Sequence, residues 1–236
     1  MEVTQFIENY RGAFGEAAEL PVLFWYSDSA VNKIEKINGC FLQCMKDVRN
    51  GISVSLNADV IGCGGGKFYT GFTDLPEYVP TFVSLKEKYK KTPEMVAEFV
   101  TQLDRPPAAG KYLNFARIDQ VESFDGKEGV LFLATPDILS GLVTWASFDN
   151  NSEDAVVSLF GSGCCTVVTY AVLNNLRNKR RAFIGFFDPS VRPHFEANIL
   201  SFMIPMTRFR EMYYTITECF LFDMRAWSKI RERVNS

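Results

Sequence analysis

The sequence has few of the residues on which several common functions depend. Its 236 residues include one histidine, His194, so a zinc site built from two or three imidazoles is excluded. Positive charge is not in excess, because 25 Lys and Arg residues are outnumbered by 28 Asp and Glu residues, for a formal net charge of −3. This balance gives no positive field to hold nucleic acid or an acidic membrane surface, and neither is an expected partner.

We expect neither an export signal nor a membrane-spanning segment from this sequence. The first ten residues have no basic region, and acidic residues interrupt them before an apolar stretch forms. Residues 155–176 carry no charge and residues 129–148 carry only Asp137, but Gly161 and Pro136 interrupt these two stretches. We therefore predict two buried strand–turn–helix units in a cytoplasmic protein, whose six cysteines are free thiols or ligands rather than disulfides.

The hydrophobic pattern predicts an α/β fold, with a mixed α+β arrangement as the alternative. Apolar runs predict strands at 21–26, 52–56, 112–118, 130–134, 155–160, 181–187 and 199–204. Thr92-Pro93 and Thr135-Pro136 are typical helix starts. The other predicted helices are an opening helix that includes Phe6 and Tyr10, a short helix carrying Val31, Ile34 and Ile37, helices at 40–48 and 164–176, and one long final helix from residue 206.

An ordered series of short matches predicts two related halves. Val22-Leu23-Phe24 recurs as Val130-Leu131-Phe132, and Gly62-Cys63 recurs further along as Gly163-Cys164. We predict that residues 1–236 form one compact unit, with pseudo-repeat halves at 20–110 and 128–205 and a C-terminal helical segment at 206–236. In such an arrangement a ligand commonly binds where the halves meet.

Each half carries a glycine-flanked cysteine just before a predicted helix. The first loop departs from a phosphate-binding loop at Ile61 and Phe68, and the second departs from a dinucleotide fingerprint at Thr166. Glycines nevertheless let a backbone approach a ligand closely, and helix N-terminal amides favour an anion or a thiolate. The leading hypothesis is a small anionic ligand bound near these loops by Cys63, Gly64, Gly65, Lys67, Gly163, Cys164 and Arg192.

Two other interpretations of the cysteines stay open. Cys40 and Cys44 are spaced to share one helix face, and with Cys63 and Cys164 they could ligate zinc or an iron–sulfur cluster. Alternatively, the protein has a non-catalytic structural or regulatory role and its cysteines are buried and inert, as expected for Cys219 on an apolar helix stripe.

The residues do not decide whether the protein is an enzyme. His194 could act as a base for a cysteine nucleophile, oriented by Asp188 or Glu196, or it could lie on the surface beside Pro193. The sequence specifies no cofactor and leaves open whether the chain forms homo-oligomers.

The segment from Cys44 to Gly51, continuing through Cys63-Gly64-Gly65-Gly66 to Gly71, resembles the family catalogued as domain of unknown function 169. In that family a cysteine opens a helix that ends in Arg-x-Gly, and a second cysteine precedes a helix start of small residues. Pro21-Val22 resembles the family's beginning, and a weaker likeness continues through Gly163-Cys164 to residues 185–192. The resemblance implies a soluble protein of prokaryotic type in which Cys44 and Cys63 matter, and it implies no reaction. Lys67 and the unbroken glycine triplet depart from the family's pattern.

Overall fold

One mixed β-sheet organises the chain in the computed structural model, which describes residues 2–32 and 36–235. Its strands are β1 (Val22–Ser27), β2 (Val54–Leu56), β3 (Tyr112–Arg117), β4 (Gly129–Ala134), β5 (Val156–Val157), β6 (Ala182–Gly185) and β7 (Leu200–Pro205). They lie in the order β2-β3-β1-β4-β7-β6-β5, and each neighbouring pair is antiparallel except β5 and β6. The fold is therefore α/β with a mixed sheet.

Helices cover both faces of this sheet. They are α1 (Glu2–Phe14), α2 (Met45–Arg49), α3 (Gly64–Tyr69), α4 (Val79–Thr81), α5 (Pro93–Leu103), α6 (Pro136–Ser147), α7 (Tyr170–Leu176), α8 (Met206–Thr215) and α9 (Arg225–Val234). A 3-10 turn at Phe41–Cys44 leads into α2, a π-helical segment at Phe82–Lys86 extends α4, and another at Cys165–Thr169 leads into α7.

The alternation of side chains along the strands divides the interior into two cores. Val22 and Phe24 of β1 point into the first core, whereas Leu23 between them points into the second. The first core also contains buried residues of α2 and α7, and the second contains those of α1, α6, α8 and α9. The sheet is therefore the middle layer of three.

The two repeated tripeptides lie side by side at the centre of the sheet. β1 and β4 pair antiparallel there, with Val22 opposite Leu131 and Leu23 opposite Val130. The relation between residues 20–110 and 128–205 as two copies of one unit stays a prediction, as does the boundary of the helical segment at 206.

Several local predictions are confirmed. The Thr92 hydroxyl oxygen accepts a hydrogen bond from the Met95 N–H at 3.3 Å, and Thr135 does the same for the Ile138 N–H at 3.5 Å, so both residues cap helices as expected. Residues 129–148 form β4 followed by α6, and residues 155–176 form β5 followed by the helical segment that ends in α7. In the described residues, no helix is long and apolar enough to cross a bilayer.

The prediction of one long final helix is wrong, because this part of the chain forms two helices. It is split into α8 and α9 by a turn at 216–224, because the chain must double back to bring Trp227 onto α1. The Trp227 indole N–H donates to the Ala13 carbonyl at 2.7 Å, and its ring lies edge-on to Phe14 and Phe220. Cys219 is buried in the turn and belongs to the second core, in a different local structure from the one predicted.

Other predicted elements are shorter than expected or differ in the described residues. β2 and β5 contain three and two residues, because the chain leaves the sheet at both edges to form the loops that carry the cysteines. Val31 does not lie on a helix: its N–H donates to the Ser55 hydroxyl at 2.8 Å, a bond that holds this segment against β2. Ile34 lies outside the described residues.

Candidate ligand cavity

Both cysteine loops line one cavity of about 880 Å³. Cys63 comes from the end of the loop that follows β2, the three glycines after it begin α3, and residues 158–164 come from the segment that follows β5. The sequence predicts that these loops lie near one site but does not indicate a cavity of this size. A volume of this order accommodates a small organic molecule.

A helical cover, residues 79–103, forms the opposite wall. It consists of α4, the π-helical segment and α5, and its apolar side chains Val79, Phe82, Val83, Val96, Phe99 and Val100 line the cavity. Val79 and Val96 are buried although neither is part of the two cores described above. The Phe99 ring meets the Phe160 ring edge-on at 5.7 Å, which joins the cover to the loop after β5.

Cys63 begins α3 and accepts a hydrogen bond from it. Its backbone is extended, with φ −82° and ψ 126°, and its Sγ accepts from the Gly66 N–H at 3.4 Å. The thiol is half-buried in the cavity wall. The expected position of Cys63 at a helix start is therefore correct, with the sulfur in the role of an N-cap side chain.

The glycine triplet after Cys63 has two different uses. A Cβ at Gly66 would lie 3.1 Å from Phe41 and 3.2 Å from Ile61, so this glycine is required by close packing. A Cβ at Gly65 would meet only the Cys63 Sγ, at 3.8 Å. Gly65 therefore leaves open space beside the thiol.

Cys164 is buried at the second loop, where its thiol lies 3.1 Å from the Ser162 hydroxyl. Burial raises the pKa of Cys164 well above its usual value, which is opposite to the lowering that helix N-terminal amides would give. The neighbouring Gly163 N–H donates to the Asp188 carboxylate at 3.3 Å. The protein's own carboxylate therefore occupies the helix start that the sequence analysis assigned to an external anion.

Two residues predicted to bind the anion do not line the cavity. The Arg192 guanidinium donates to the backbone carbonyls of Glu196 at 3.1 Å, Ala197 at 2.7 Å and also Ile199, so it holds its own loop together. Lys67 lies on α3 and is also absent from the cavity wall. Both predictions assumed that a basic residue near a glycine loop faces the ligand, and the folded chain directs these two elsewhere.

His194 is exposed at the rim of the cavity. Glu196, one of its predicted partners, instead accepts hydrogen bonds from Arg49 at 2.9 and 3.0 Å. The other, Asp188, accepts from the Ser190 N–H at 2.9 Å and hydroxyl at 2.7 Å. Both carboxylates therefore accept hydrogen bonds from residues other than His194, and neither orients the imidazole as a catalytic base would require.

The four cysteines considered as metal ligands are not equivalent. Cys40 precedes the 3-10 turn with an extended backbone, and Cys44 is buried in the first core, so the two do not share a helix face as expected. Burial raises the pKa of Cys40 to about 11 and that of Cys44 further, which keeps both protonated near neutral pH. Nowhere in the described ranges do three or more His, Cys, Asp or Glu side chains form a group able to hold a metal ion.

Most of the cavity wall was not predicted from the sequence. Glu87, Tyr89 and Lys90 lie between the π-helical segment and α5, Phe160 comes from the loop after β5, and Phe187 comes from the loop after β6. The available signal was the apolar stripe of α5, which indicates a helix face that covers other apolar groups.

The fold and the cavity define a class of protein: a three-layer α/β protein with one helical cover above a largely apolar cavity. The family model of domain of unknown function 169, described as uncharacterised ArCR, matches residues 20–214, and the chain belongs to this family. No curated protein and no solved structure matches the chain.

Proposed function

We propose that the protein binds a small molecule with an apolar body in the cavity between the helical cover and the two cysteine loops. The observation that carries this proposal is that the apolar side chains of the helical cover that line this cavity of about 880 Å³ belong to neither core, although Leu103 at the end of α5 does join the first core. Apolar side chains that line a cavity make fewer contacts than they would in a core, and a bound apolar molecule supplies those contacts.

The proposed site has a few polar groups among its apolar side chains. The thiols of Cys40, Cys63 and Cys164 and the Asp188 carboxylate line the cavity from the loops opposite the cover, whereas the cover contributes Glu87 and Lys90 beside its apolar side chains. Pockets of this kind bind through their apolar walls and orient the ligand through a few polar groups. The ligand therefore has an apolar body and a polar end.

The test is saturable binding of N-phenyl-1-naphthylamine, a neutral probe that fluoresces in apolar surroundings, to the full chain. Val100→Trp fills the cavity from α5, and Ala97→Trp adds the same side chain to an exposed position of that helix. We expect Val100→Trp to weaken binding by about tenfold or more, which corresponds to about 1.4 kcal/mol, and Ala97→Trp to leave it unchanged.

Equal binding by both variants and the wild type, or no saturable binding at all, would contradict the proposal and favour the structural or regulatory alternative. If Val100→Trp does not fold, as judged by circular dichroism, Gly65→Leu blocks the cavity from the opposite side, because its Cβ begins in open space beside Cys63.

A further inference from the structure

We infer that the polar end of the ligand is an organic cation, such as an amine or a quaternary ammonium group. This inference rests on the proposed binding function and adds the charge of the ligand. It departs from the anion expected from the sequence, because the folded chain places carboxylates on the cavity wall, directs Lys67 and Arg192 away from it, and bonds the Gly163 N–H to Asp188.

The first observation is the charge of the wall. Glu87 and Asp188 both line the cavity, and no Lys, Arg or His side chain in the described ranges lies within ion-pair distance of either carboxylate. Burial and the negative charge of Asp188 both raise the pKa of Glu87, as expected for like charges that share one partly enclosed space. A cationic ligand would relieve this repulsion.

The second observation is a cation already held by rings of the same wall. The Lys90 ammonium lies 4.4 Å from the centre of the Phe160 ring and 5.5 Å from that of Phe99. Aromatic faces attract cations at such distances, and the attraction grows when water is excluded. These rings therefore have the chemistry to receive an ammonium group, and a ligand would compete with Lys90 for it.

The third observation is that several donors suited to an anion are already occupied. The Gly163 N–H donates to Asp188, the Gly66 N–H donates to the Cys63 thiol, and Arg192 is bonded to carbonyls of its own loop. The remaining lysines of the cover's basic run, at 86, 88 and 91, are exposed and do not line the cavity. Of that run, Lys90 alone is available to attract an anion.

The experiment compares three ligands with the same ten-carbon chain: decyltrimethylammonium, 1-decanol and decanoate. Each displaces N-phenyl-1-naphthylamine from the full chain at pH 7.5 and low salt, below its micelle concentration. We expect decyltrimethylammonium to displace the probe at about one tenth of the decanoate concentration, with decanol between them.

Two pairs of variants assign the selectivity to the cavity. Glu87→Gln should reduce the preference for the cation severalfold, whereas Glu98→Gln, on an exposed part of the same cover that does not line the cavity, should not. Lys90→Met should strengthen cation binding because it removes the competing ammonium, and Lys91→Met should leave it unchanged. If instead a ligand carboxylate paired with Lys90, Lys90→Met would weaken the binding of decanoate and would not strengthen the binding of the cation.

The inference is overturned if decanoate displaces the probe as well as the cation does, or if Glu87→Gln leaves the preference unchanged while decanol still binds. In those cases the proposed binding function stands. If none of the three ligands binds and the neutral probe does not saturate, the proposed function itself fails.

Discussion

The three consecutive glycines at the start of α3 allow a sharp test of the structure, because adjacent Gly→Ala substitutions should have opposite effects. At Gly65 the new methyl group would meet only the Cys63 Sγ, at 3.8 Å, which is ordinary contact. Alanine is favoured over glycine inside helices by up to about 1 kcal/mol. α3 has six residues and Gly65 is its second, so we expect Gly65→Ala to raise the free energy of unfolding by about 0.5 kcal/mol.

At Gly66 the same substitution gains the same helix propensity but meets a packed core. Its methyl group would lie 3.1 Å from the Phe41 ring and 3.2 Å from an Ile61 methyl group, both of which are fully buried. Overpacking of this kind costs about 1–3 kcal/mol, so Gly66→Ala should lower the free energy of unfolding by about 1 kcal/mol after the helix gain.

Urea denaturation of the full chain at pH 7, followed by circular dichroism, measures both values. The difference between the two variants should be about 1.5 kcal/mol, from the sum of the preceding effects. Equal destabilisation by the two substitutions would refute the assigned orientation of α3, and with it the open space beside Cys63.

Two further predictions concern buried groups. The guanidinium of Arg208, 1% exposed, bonds Asp149, Glu211 and the Ala146 carbonyl, so Arg208→Met should lower the free energy of unfolding in urea by about 3 kcal/mol. Arg210→Met should change it little, because Arg210 is itself partly exposed and pairs only with the exposed Asp125 at 2.8 Å and with Glu2 at 4.0 Å. A small loss in the free energy of unfolding for Arg208→Met would show that water readily solvates Asp149 and Glu211 in its place. Brief iodoacetamide treatment of the native protein at pH 8 should modify Cys63 before Cys164, because Cys63 is half-exposed and burial raises the pKa of Cys164. Mass-spectrometric mapping would contradict this if Cys164 reacted first.

Much of the fold was predictable because its signals are local. The Thr-Pro helix starts at 92 and 135 depend only on a hydrogen bond between each threonine and the residue three positions later. The buried strands are predicted by their high content of apolar residues. The order of the strands was not predictable, because the pairing of β1 with β4 joins residues more than a hundred positions apart. The break between α8 and α9 follows from the docking of Trp227 on α1, a contact between the two ends of the chain.

The candidate site illustrates the same limit more strongly. Cys63, Gly64, Gly65, Gly163 and Cys164 were chosen from loop composition, and all five line the cavity. The charge of the cavity wall could not be predicted from the loops, because the Gly163 N–H donates to the carboxylate of Asp188, which lies 25 positions further along the chain. Loop composition indicates where a backbone can approach a ligand, whereas tertiary contacts decide which donors stay available.

The brevity of β2 and β5 bears on how this protein meets other copies of itself. They are the two edges of the sheet, and edge strands present unpaired N–H and C=O groups to which another strand can add. Here an added strand would find only three residues at one edge and two at the other, and the Val31 and Asn32 N–H groups bonded to Ser55 already lie against the longer one. Growth of the sheet from molecule to molecule is therefore disfavoured at both edges.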